Sequence, residues 1–259
     1  MINFDLSKPI TAYELIAIIL SSVAIFIPII KSIWNNYIIK GKLKFLPIGK
    51  IMLFFNQSGP YIRIDGVYEA INKSISIKNI SAKVIRVKDE NKLNFEWSSF
   101  ISPINQNLIG NYLQTTEAAH PFRIEKNSIM CAFTEFCDSF DSFAKTFKIK
   151  SSCLFNKINT IKLTYMEYSL AKDYYQKLDE YIFVRKYIEN NFFWEIGKYK
   201  IIILVKYNNT DEEKIIYNIF LNEYEQQMLI SNIDEILLSP LKDAYGIRRN
   251  YYTSIIELN

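Results

Sequence analysis

Few side chains in this sequence have the type and spacing that metal binding or covalent catalysis requires. It contains one histidine, His120, and three cysteines, Cys131, Cys137 and Cys153. One histidine cannot build a multi-histidine metal site, and two cysteines six positions apart downstream of His120 match no zinc pattern. A cysteine–histidine nucleophile pair remains an alternative, but only the coexistence of the residues supports it. We interpret Cys131 as a strand residue and Cys137 as a buried thiol, and we predict no metal site.

The sequence also lacks phosphate-binding and serine-nucleophile motifs. Gly59 and Gly66 are seven residues apart, so they form neither a Walker A loop nor G-x-G-x-x-G. Ser58 stands outside any G-x-S-x-G pattern and is typical of a tight turn. Glu135 and Asp138 are close enough in sequence to share a site, as are many surface pairs. We therefore predict no catalytic residues, no cofactor and no enzymatic activity.

Composition limits the class of protein further. The chain has 259 residues, 49% of them hydrophobic, which is ordinary for a folded protein and excludes collagen-like, coiled-coil and disordered chains. The net charge of +4 is too small to indicate a nucleic-acid partner. Three cysteines are too few for a disulfide scaffold, which favours a reducing compartment. The mean hydropathy of 0.00 is high for a wholly soluble protein, and the excess lies near the N-terminus.

A long apolar stretch near the N-terminus, in which Glu14 is the only charged residue, predicts a transmembrane helix. Residues 11–30 would form a helix about 30 Å long, which matches the hydrocarbon core of a bilayer. Thr11 is the predicted N-cap, and Pro28 would kink the helix or mark its exit from the bilayer. A cleavable signal peptide would need a basic start and a small-residue cleavage site, and neither is evident. The remaining alternative is a buried core helix.

The flanks of this stretch predict its orientation. Lysines dominate the C-terminal flank without acidic residues between them, and the positive-inside rule then places that side in the cytoplasm. Aromatic residues near both ends are typical of the membrane interface. The predicted membrane-interface residues are Tyr13, Lys31, Trp34, Tyr37, Lys40, Lys42 and Lys44. We expect a single pass through the inner (cytoplasmic) membrane of a bacterium, with the N-terminus outside and the C-terminal domain in the cytoplasm.

The segment after residue 42 predicts a mainly-β domain. Short runs with alternating apolar residues are separated by turn signals at 56–60, 65–66 and 88–91, as in a sandwich or barrel. The run Gly197-Lys198-Tyr199 resembles the late F strand of immunoglobulin-like sandwiches. The resemblance covers about eight residues and implies a tyrosine hydroxyl bonded back to the backbone. The paired cysteines of antibody domains are missing.

Two helices are predicted within and after these strands. Residues 165–190 contain no glycine or proline and have apolar residues near helical spacing, which predicts an inserted amphipathic helix. Asn222 with Glu225 forms a capping box for a C-terminal helix that runs to about Leu238 and is stopped by Pro240. The remainder is poorly patterned and predicts a loose tail.

Together these features predict an α+β protein. It comprises a single transmembrane helix and juxtamembrane segment at 1–40, an immunoglobulin-like sandwich at 41–240 and a loosely ordered tail at 241–259. The predicted function is binding of a partner protein or small ligand at the membrane, with the lipid bilayer as a further partner. The alternative is a membrane-acting effector that forms homo-oligomers through its helix, for example in antiviral defence. The small residues Ala17 and Ser21, four positions apart, favour close helix packing.

Overall fold

The computed structural model describes residues 11–34, 39–101, 105–106, 112–113, 116–138 and 142–258. The helices are α1 (Ala12–Ile33), α2 (Ser142–Asn156), α3 (Ile158–Thr164), α4 (Tyr168–Gln176), α5 (Asp179–Asn190) and α6 (Glu223–Ala244). The strands are β1 (Lys42–Asn56), β2 (Gly59–Ile71), β3 (Ile75–Arg86), β4 (Lys92–Ile101), β5 (Asn105–Gln106), β6 (Tyr112–Leu113), β7 (Thr116–Ala118), β8 (Phe122–Ile124), β9 (Ile129–Asp138), β10 (Gly197–Tyr207), β11 (Asp211–Leu221) and β12 (Ser254–Glu257).

Ten of these strands form one antiparallel sheet. Its order is β11-β10-β3-β4-β9-β2-β1-β12, with β7 paired to β4 and β8 paired to β3. The short strands β5 and β6 pair separately. The sheet curls until Cα atoms of its edge strands β11 and β12 lie within 8 Å of each other. The architecture is therefore α+β with a nearly barrel-like sheet.

The predicted immunoglobulin-like sandwich is not confirmed. A sandwich has two sheets packed face to face. Here the long strands β1 and β2 are paired neighbours within one continuous sheet. The register of this pair shifts between Pro47 and Ile51, where Gly49 has a φ of +88°. A bulge of this kind bends the strand and increases its twist, so the sheet coils on itself instead of dividing into two.

Alternation of buried and more exposed residues along most of the strands creates the core. In β1, for example, Leu43, Ile51 and Leu53 are fully buried, while Lys42 and Lys44 point outwards. The turn predicted at 56–60 is present as a two-residue turn that joins β1 to β2 between the paired residues Asn56 and Gly59. Successive strand side chains point to opposite faces, so one face of the curled sheet encloses apolar side chains and the other meets solvent.

The helical insertion is larger than the sequence predicts. The predicted helix at 165–190 is divided into α4 and α5, with a break at 177–178, and α2 and α3 precede it. Helix α2 buries Phe143, Phe147 and Leu154 on one side. Helix α2 contacts α3 and α5, and α3, α4 and α5 contact α6, so the four short helices form one layer with α6.

The predicted capping box of α6 is confirmed, but Pro240 does not end the helix. Asn222 Oδ1 accepts from Glu225 N at 2.9 Å, and the Glu225 carboxylate accepts from Asn222 N at 2.8 Å. Helix α6 continues through Pro240 to Ala244. Proline removes the amide that would bond to the Ile236 carbonyl, but the Ser239 hydroxyl donates to that carbonyl at 3.0 Å instead. The lost hydrogen bond is thus replaced, and the helix tolerates the proline.

The segment after α6 is also more ordered than the predicted loose tail. Asn232 exchanges two hydrogen bonds with the backbone of Tyr252, at 2.8 and 2.7 Å. The Glu235 carboxylate accepts from Asn250 N and pairs with Lys242. These contacts hold residues 250–252 against α6. The strand that follows, β12, pairs with residues 50–53 of β1.

Tyr199 confirms the local feature implied by the Gly-x-Tyr resemblance. Its hydroxyl accepts from Glu195 N and donates to Glu195 O, both at 2.7 Å. The side chain is fully buried, and burial raises the pKa of Tyr199 to about 12. The neutral hydroxyl of Tyr199 therefore fixes the backbone at Glu195, just before β10 begins.

We expect Tyr199→Phe to reduce the free energy of unfolding by about 1–2 kcal/mol, because it removes the two hydrogen bonds that the buried hydroxyl makes with the Glu195 amide and carbonyl. Urea unfolding of the detergent-solubilised chain, followed by circular dichroism, measures this change. Tyr224→Phe is the matched control, because Tyr224 is 72% exposed. Equal stability of the two variants would contradict the prediction.

Candidate functional site

Helix α1 has the properties of a membrane span. It is 22 residues long, and none of its residues is buried. Its most apolar window has a mean hydropathy of 2.4, and in the described part of the chain it is the one helix long and apolar enough to cross a membrane. Thr11 is its N-cap, as predicted, and Glu14 completes a capping box by accepting from Thr11 N at 2.8 Å. A helix of this kind can serve as a membrane anchor or a signal sequence.

The predicted interface residues flank this helix. Tyr13, which is 86% exposed, lies in its first turn, Lys31 lies in its last turn, and Trp34 is its C-cap. Lys40, Lys42 and Lys44 are exposed where the chain enters β1, and Tyr37 lies outside the described residues. The charged and aromatic side chains that the sequence predicts at the interface are therefore available to solvent or lipid.

The anchor is connected closely to one end of the sheet. Ile39 N donates to Trp34 O at 3.0 Å, and β1 begins three residues later at Lys42. The same end contains the turns at 72–74, 125–128 and 208–210. We call this the anchor-proximal end, and the opposite end, with the hairpin turns at 57–58 and 87–91, the distal end.

Asparagines stabilise the turns of the anchor-proximal end. Asn72, Asn127 and Asn208 all have positive φ, a conformation that asparagine tolerates better than most residues. Asn127 Oδ1 accepts from Asn72 N at 3.2 Å, and Asn72 Nδ2 donates to Lys40 O at 3.5 Å. These side chains join neighbouring turns to one another and to the linker that follows α1.

A cavity with a polar lining lies at the distal end and has a volume of about 450 Å³. We call it the distal pocket. It is bounded by the ends of β3 and β9, by α2 and by the chain that follows α5. The lining residues that carry its chemistry are Arg86, Asp138, Ser142, Phe143, Tyr187 and Glu195.

Arg86 is the central hydrogen-bond donor of the distal pocket. Its side chain is 7% exposed, and it pairs with Asp89 and Glu195, each at 2.6 Å. It also donates to the Phe193 carbonyl at 3.0 Å. The hydrogen bonds from Arg86 hold the pKa of Asp89 at about 2, below its ordinary value of 3.8. The charge of Arg86 is therefore balanced by two carboxylates that fix its position.

Asp138 forms the other polar wall. It is only 7% exposed, and its carboxylate accepts from the Ser142 hydroxyl at 3.0 Å. Aromatic rings also line the pocket: Phe143 stacks on Tyr187 with ring centroids 5.7 Å apart and an interplanar angle of 21°. The pocket thus combines carboxylates, hydroxyls and aromatic faces.

Of the candidate chemical residues of the sequence, Asp138 is the one that lines this site. Glu135 and Asp138 lie on opposite faces of β9, because residues three apart in a strand point in opposite directions. Glu135 accepts from Ser99 on the outer face, whereas Asp138 faces the distal pocket. Ser58 lies in the β1–β2 turn, where its amide donates to Asn56 Oδ1.

The histidine and cysteines are also dispersed. His120 is exposed, with Nδ1 3.0 Å from Ala118 O. Cys131 is exposed in β9, Cys137 is partly buried where the sequence predicts a buried thiol, and Cys153 is exposed on α2. Within the described ranges, no group of three or more histidine, cysteine, aspartate or glutamate residues could hold a metal ion.

Sequence reasoning missed the distal pocket because its residues are distant in the chain. Arg86 ends β3, Asp138 ends β9, and Glu195 precedes β10. The spacing of Arg86 and Asp89 across a predicted hairpin loop is the one local signal, and it indicates an ion pair without indicating a cavity. Comparison of the chain with protein-family models, curated proteins and solved structures finds no match.

The Arg86–Asp89 pair gives a testable dependence of stability on pH. The folded pKa of Asp89 is lowered, so its stabilising contribution is complete above pH 3.8 and is lost as the pH falls towards about 2. We expect Asp89→Asn to lose stability at neutral pH and to show a smaller further loss over this acid range than the unmodified chain.

Thermal unfolding at about pH 5 and about pH 2.5 measures this difference. Asp173→Asn, on an exposed position of α4, is the control and should keep the pH dependence of the unmodified chain. An identical acid loss in the Asp89→Asn variant and the unmodified chain would refute the assignment.

Proposed function

We propose that this protein is a membrane-anchored binding module without a catalytic step. Helix α1 spans a lipid bilayer, and the β-rich domain binds a small ligand or a partner protein in the distal pocket. The observation that carries the proposal is an apolar helix with no buried residue, joined directly to one end of a sheet whose other end has a polar pocket.

Exposure of α1 favours a span over a core helix. Ile16, Leu20, Phe26 and Ile27 are each more than half exposed. Burial of each such side chain is worth about 1.5–3 kcal/mol, so the isolated helix in water would forgo a large stabilisation that a bilayer provides. Retention of the helix is favoured over cleavage because Lys31-Ser32-Ile33-Trp34 follows the apolar run instead of small residues.

The charges around α1 support an orientation with the domain in the cytoplasm. Lys31, Lys40, Lys42 and Lys44 follow the span, and the positive-inside rule retains such a flank on the cytoplasmic side. In a bacterial cell this corresponds to the inner membrane. The same lysines are exposed at the anchor-proximal end and can contact anionic headgroups, at about 1 kcal/mol for each residue near the surface.

The distance between the two ends supports a water-soluble ligand. Strand β2 connects the distal end to the anchor-proximal end through 13 residues, which corresponds to about 40 Å at the usual rise of a strand. If the sheet is directed away from the membrane, the distal pocket lies about 40 Å from the anchor-proximal end. Its ligand would then come from the aqueous phase. A lipid acyl chain would have to leave the bilayer to reach it.

A membrane-acting effector that oligomerises through α1 is the second candidate. It is favoured by a shallow groove along α1 in which Ser22 lies between Ile18 and Phe26. A small residue at such a position lets a second helix approach closely. Light scattering of the detergent-solubilised chain separates the two candidates, since a defined oligomer favours the effector and a monomer favours the binding module.

We expect the full chain to stay in the membrane pellet after alkaline carbonate extraction. A chain that starts at residue 39 should be soluble and keep its β-rich circular dichroism spectrum, because the removed helix contributes no buried side chain to the domain. Release of the full chain by carbonate would refute the anchor. Aggregation of the shortened chain would refute an independently folded domain.

We expect a C-terminal alkaline phosphatase fusion to be inactive in a bacterial host and a C-terminal green fluorescent protein fusion to be fluorescent. Replacement of Lys31, Lys40, Lys42 and Lys44 with Gln should increase phosphatase activity, because it removes the charge bias that retains this side. Strong phosphatase activity in the unmodified fusion would reverse the proposed orientation.

A further inference from the structure

We propose that the outer face of the sheet beside the anchor docks on the surface of an anionic bilayer. The inference rests on the proposed function of α1 as a membrane span, and it adds a second, peripheral contact between the domain and the same membrane. It is carried by the order of residues in β1, by the neighbouring strands and by the charge balance of this face.

Strand β1 begins with two lysines and two apolar residues on its exposed side. Lys42, Lys44, Leu46 and Ile48 are exposed, whereas the residues at positions 43 and 45 are buried. Successive side chains of a strand point to opposite faces, so the first three of these residues share the outer face of the sheet. Leu46 is 41% exposed, and Ile48, at the bulge, is 58% exposed. The surface of β1 therefore combines positive charge with apolar side chains.

Strands β2 and β9 extend the apolar part of this surface. Leu46 pairs with Val67, and Val67 pairs with Cys131, so the three side chains form one row across the sheet. Ile129 is 67% exposed on the same side of β9, two residues before Cys131. Grouped apolar side chains on a surface indicate a contact with another molecule or a membrane. We call this surface the anchor-side face, formed by Lys42, Lys44, Leu46, Ile48, Val67, Ile129 and Cys131.

The charge of the anchor-side face favours anionic headgroups. Glu69 lies opposite Lys44 on β2 and offsets one positive charge, while Lys40 and Lys42 add two more. Asp65, further along β2, already forms an ion pair with an arginine of the same strand at 2.7 Å. Basic residues beside exposed apolar ones are the combination that binds anionic lipid surfaces.

The other edge of the sheet has a different charge balance. At the anchor-proximal ends of β10 and β11, Lys206 lies opposite Glu212, and Lys214 follows the acidic run 211–213. These carboxylates offset the two lysines, so this edge offers no net positive charge to an anionic surface. Charge thus selects the β1 side of the domain for contact with the membrane.

Helix α1 holds the anchor-side face close to the bilayer. The helix ends at Ile33, Ile39 N donates to Trp34 O at 3.0 Å, and β1 begins at Lys42. A short connection gives the face a high effective concentration at the membrane, so a few charged and apolar contacts suffice for docking. The distal pocket opens at the other end of the sheet and takes no part in this contact.

Two native cysteines report whether the face is covered. Cys131 lies in the anchor-side face, and Cys153 is exposed on α2, outside it. The full chain is reconstituted in an excess of nanodiscs made of phosphatidylcholine alone or with one quarter phosphatidylglycerol, and it is then modified with N-ethylmaleimide. By peptide mass spectrometry we expect Cys131 to react about fivefold or more slowly in the anionic discs, and Cys153 to react equally in both.

The combined exchange Lys42→Gln and Lys44→Gln assigns the protection to this face. Removal of both charges should restore the reaction rate of Cys131 in anionic discs to its rate in phosphatidylcholine. The combined exchange Lys206→Gln and Lys214→Gln is the matched control, because it removes two exposed lysines at the other edge of the sheet and should leave the protection unchanged. The melting temperature of each variant checks that the fold is retained.

Ile48→Ser tests the apolar part of the contact. We expect it to raise the reaction rate of Cys131 in anionic discs about twofold or more, since it removes apolar surface that the bilayer would cover. Ile149→Ser is the matched control, because Ile149 is 74% exposed on α2 and lies outside the face. Equal reaction rates of Cys131 in the Ile48→Ser variant and the unmodified chain would contradict the apolar contact.

Equal reaction rates of Cys131 in the two kinds of disc would overturn the proposal, as would protection that survives the loss of Lys42 and Lys44. Slow reaction of Cys131 in phosphatidylcholine as well would show that a second copy of the chain or another protein covers the face, and an equal slowing of Cys153 would show a general effect of the lipid. Either result would also overturn it. Co-elution of the chain with phosphatidylcholine discs reports the α1 span separately, so failure of the docking face is distinguishable from failure of the anchor.

Discussion

Burial of helix α6 is the constraint on which the rest of the domain depends. Its buried positions include Leu229, Ile233, Ile236, Leu237 and Leu241, which occupy more than one side of the helix. The helix contacts β1 and β12 of the sheet as well as α3, α4 and α5. A sheet curled this far encloses apolar surface that must be filled, and each fully buried leucine or isoleucine contributes about 1.5–3 kcal/mol. Loss of α6 would remove the common contact of the sheet and the helical layer.

The polar contacts along α6 explain how this packing becomes specific. Asn232 and Glu235 are buried in the helix but satisfied by the backbone at 250–252 and by Lys242. Ser239 replaces the hydrogen bond that Pro240 cannot make. Buried polar groups are costly without partners, so these contacts fix the register of the C-terminal segment as it returns to the sheet. Strand β12 is then added to the edge at β1.

Antiparallel pairing gives the domain two different ends. Strands β1 and β2 carry the chain from the helix α1 to the distal hairpin and back, so the lysine-rich linker and the distal pocket are separated by the length of the sheet. The anchor-proximal end is held by asparagine turns, and the distal end by the hydrogen bonds of Arg86. This separation allows the domain to stay attached at one end while the other remains open to a ligand.

The sequence by itself determined the local features. The apolar span, its Thr11 cap, the β1–β2 turn, the Asn222 capping box and the Tyr199 hydroxyl contact were all predictable, because each depends on residues within a few positions of one another. Only the tertiary structure decided that the strands form one curled sheet, that α6 continues through Pro240, and that Arg86, Asp138 and Glu195 meet in one pocket. The physical reason is that sheet curvature and side-chain convergence depend on strand order, bulges and burial between segments that are distant in the chain, such as the paired β1 and β12, and periodicity along the chain does not encode these.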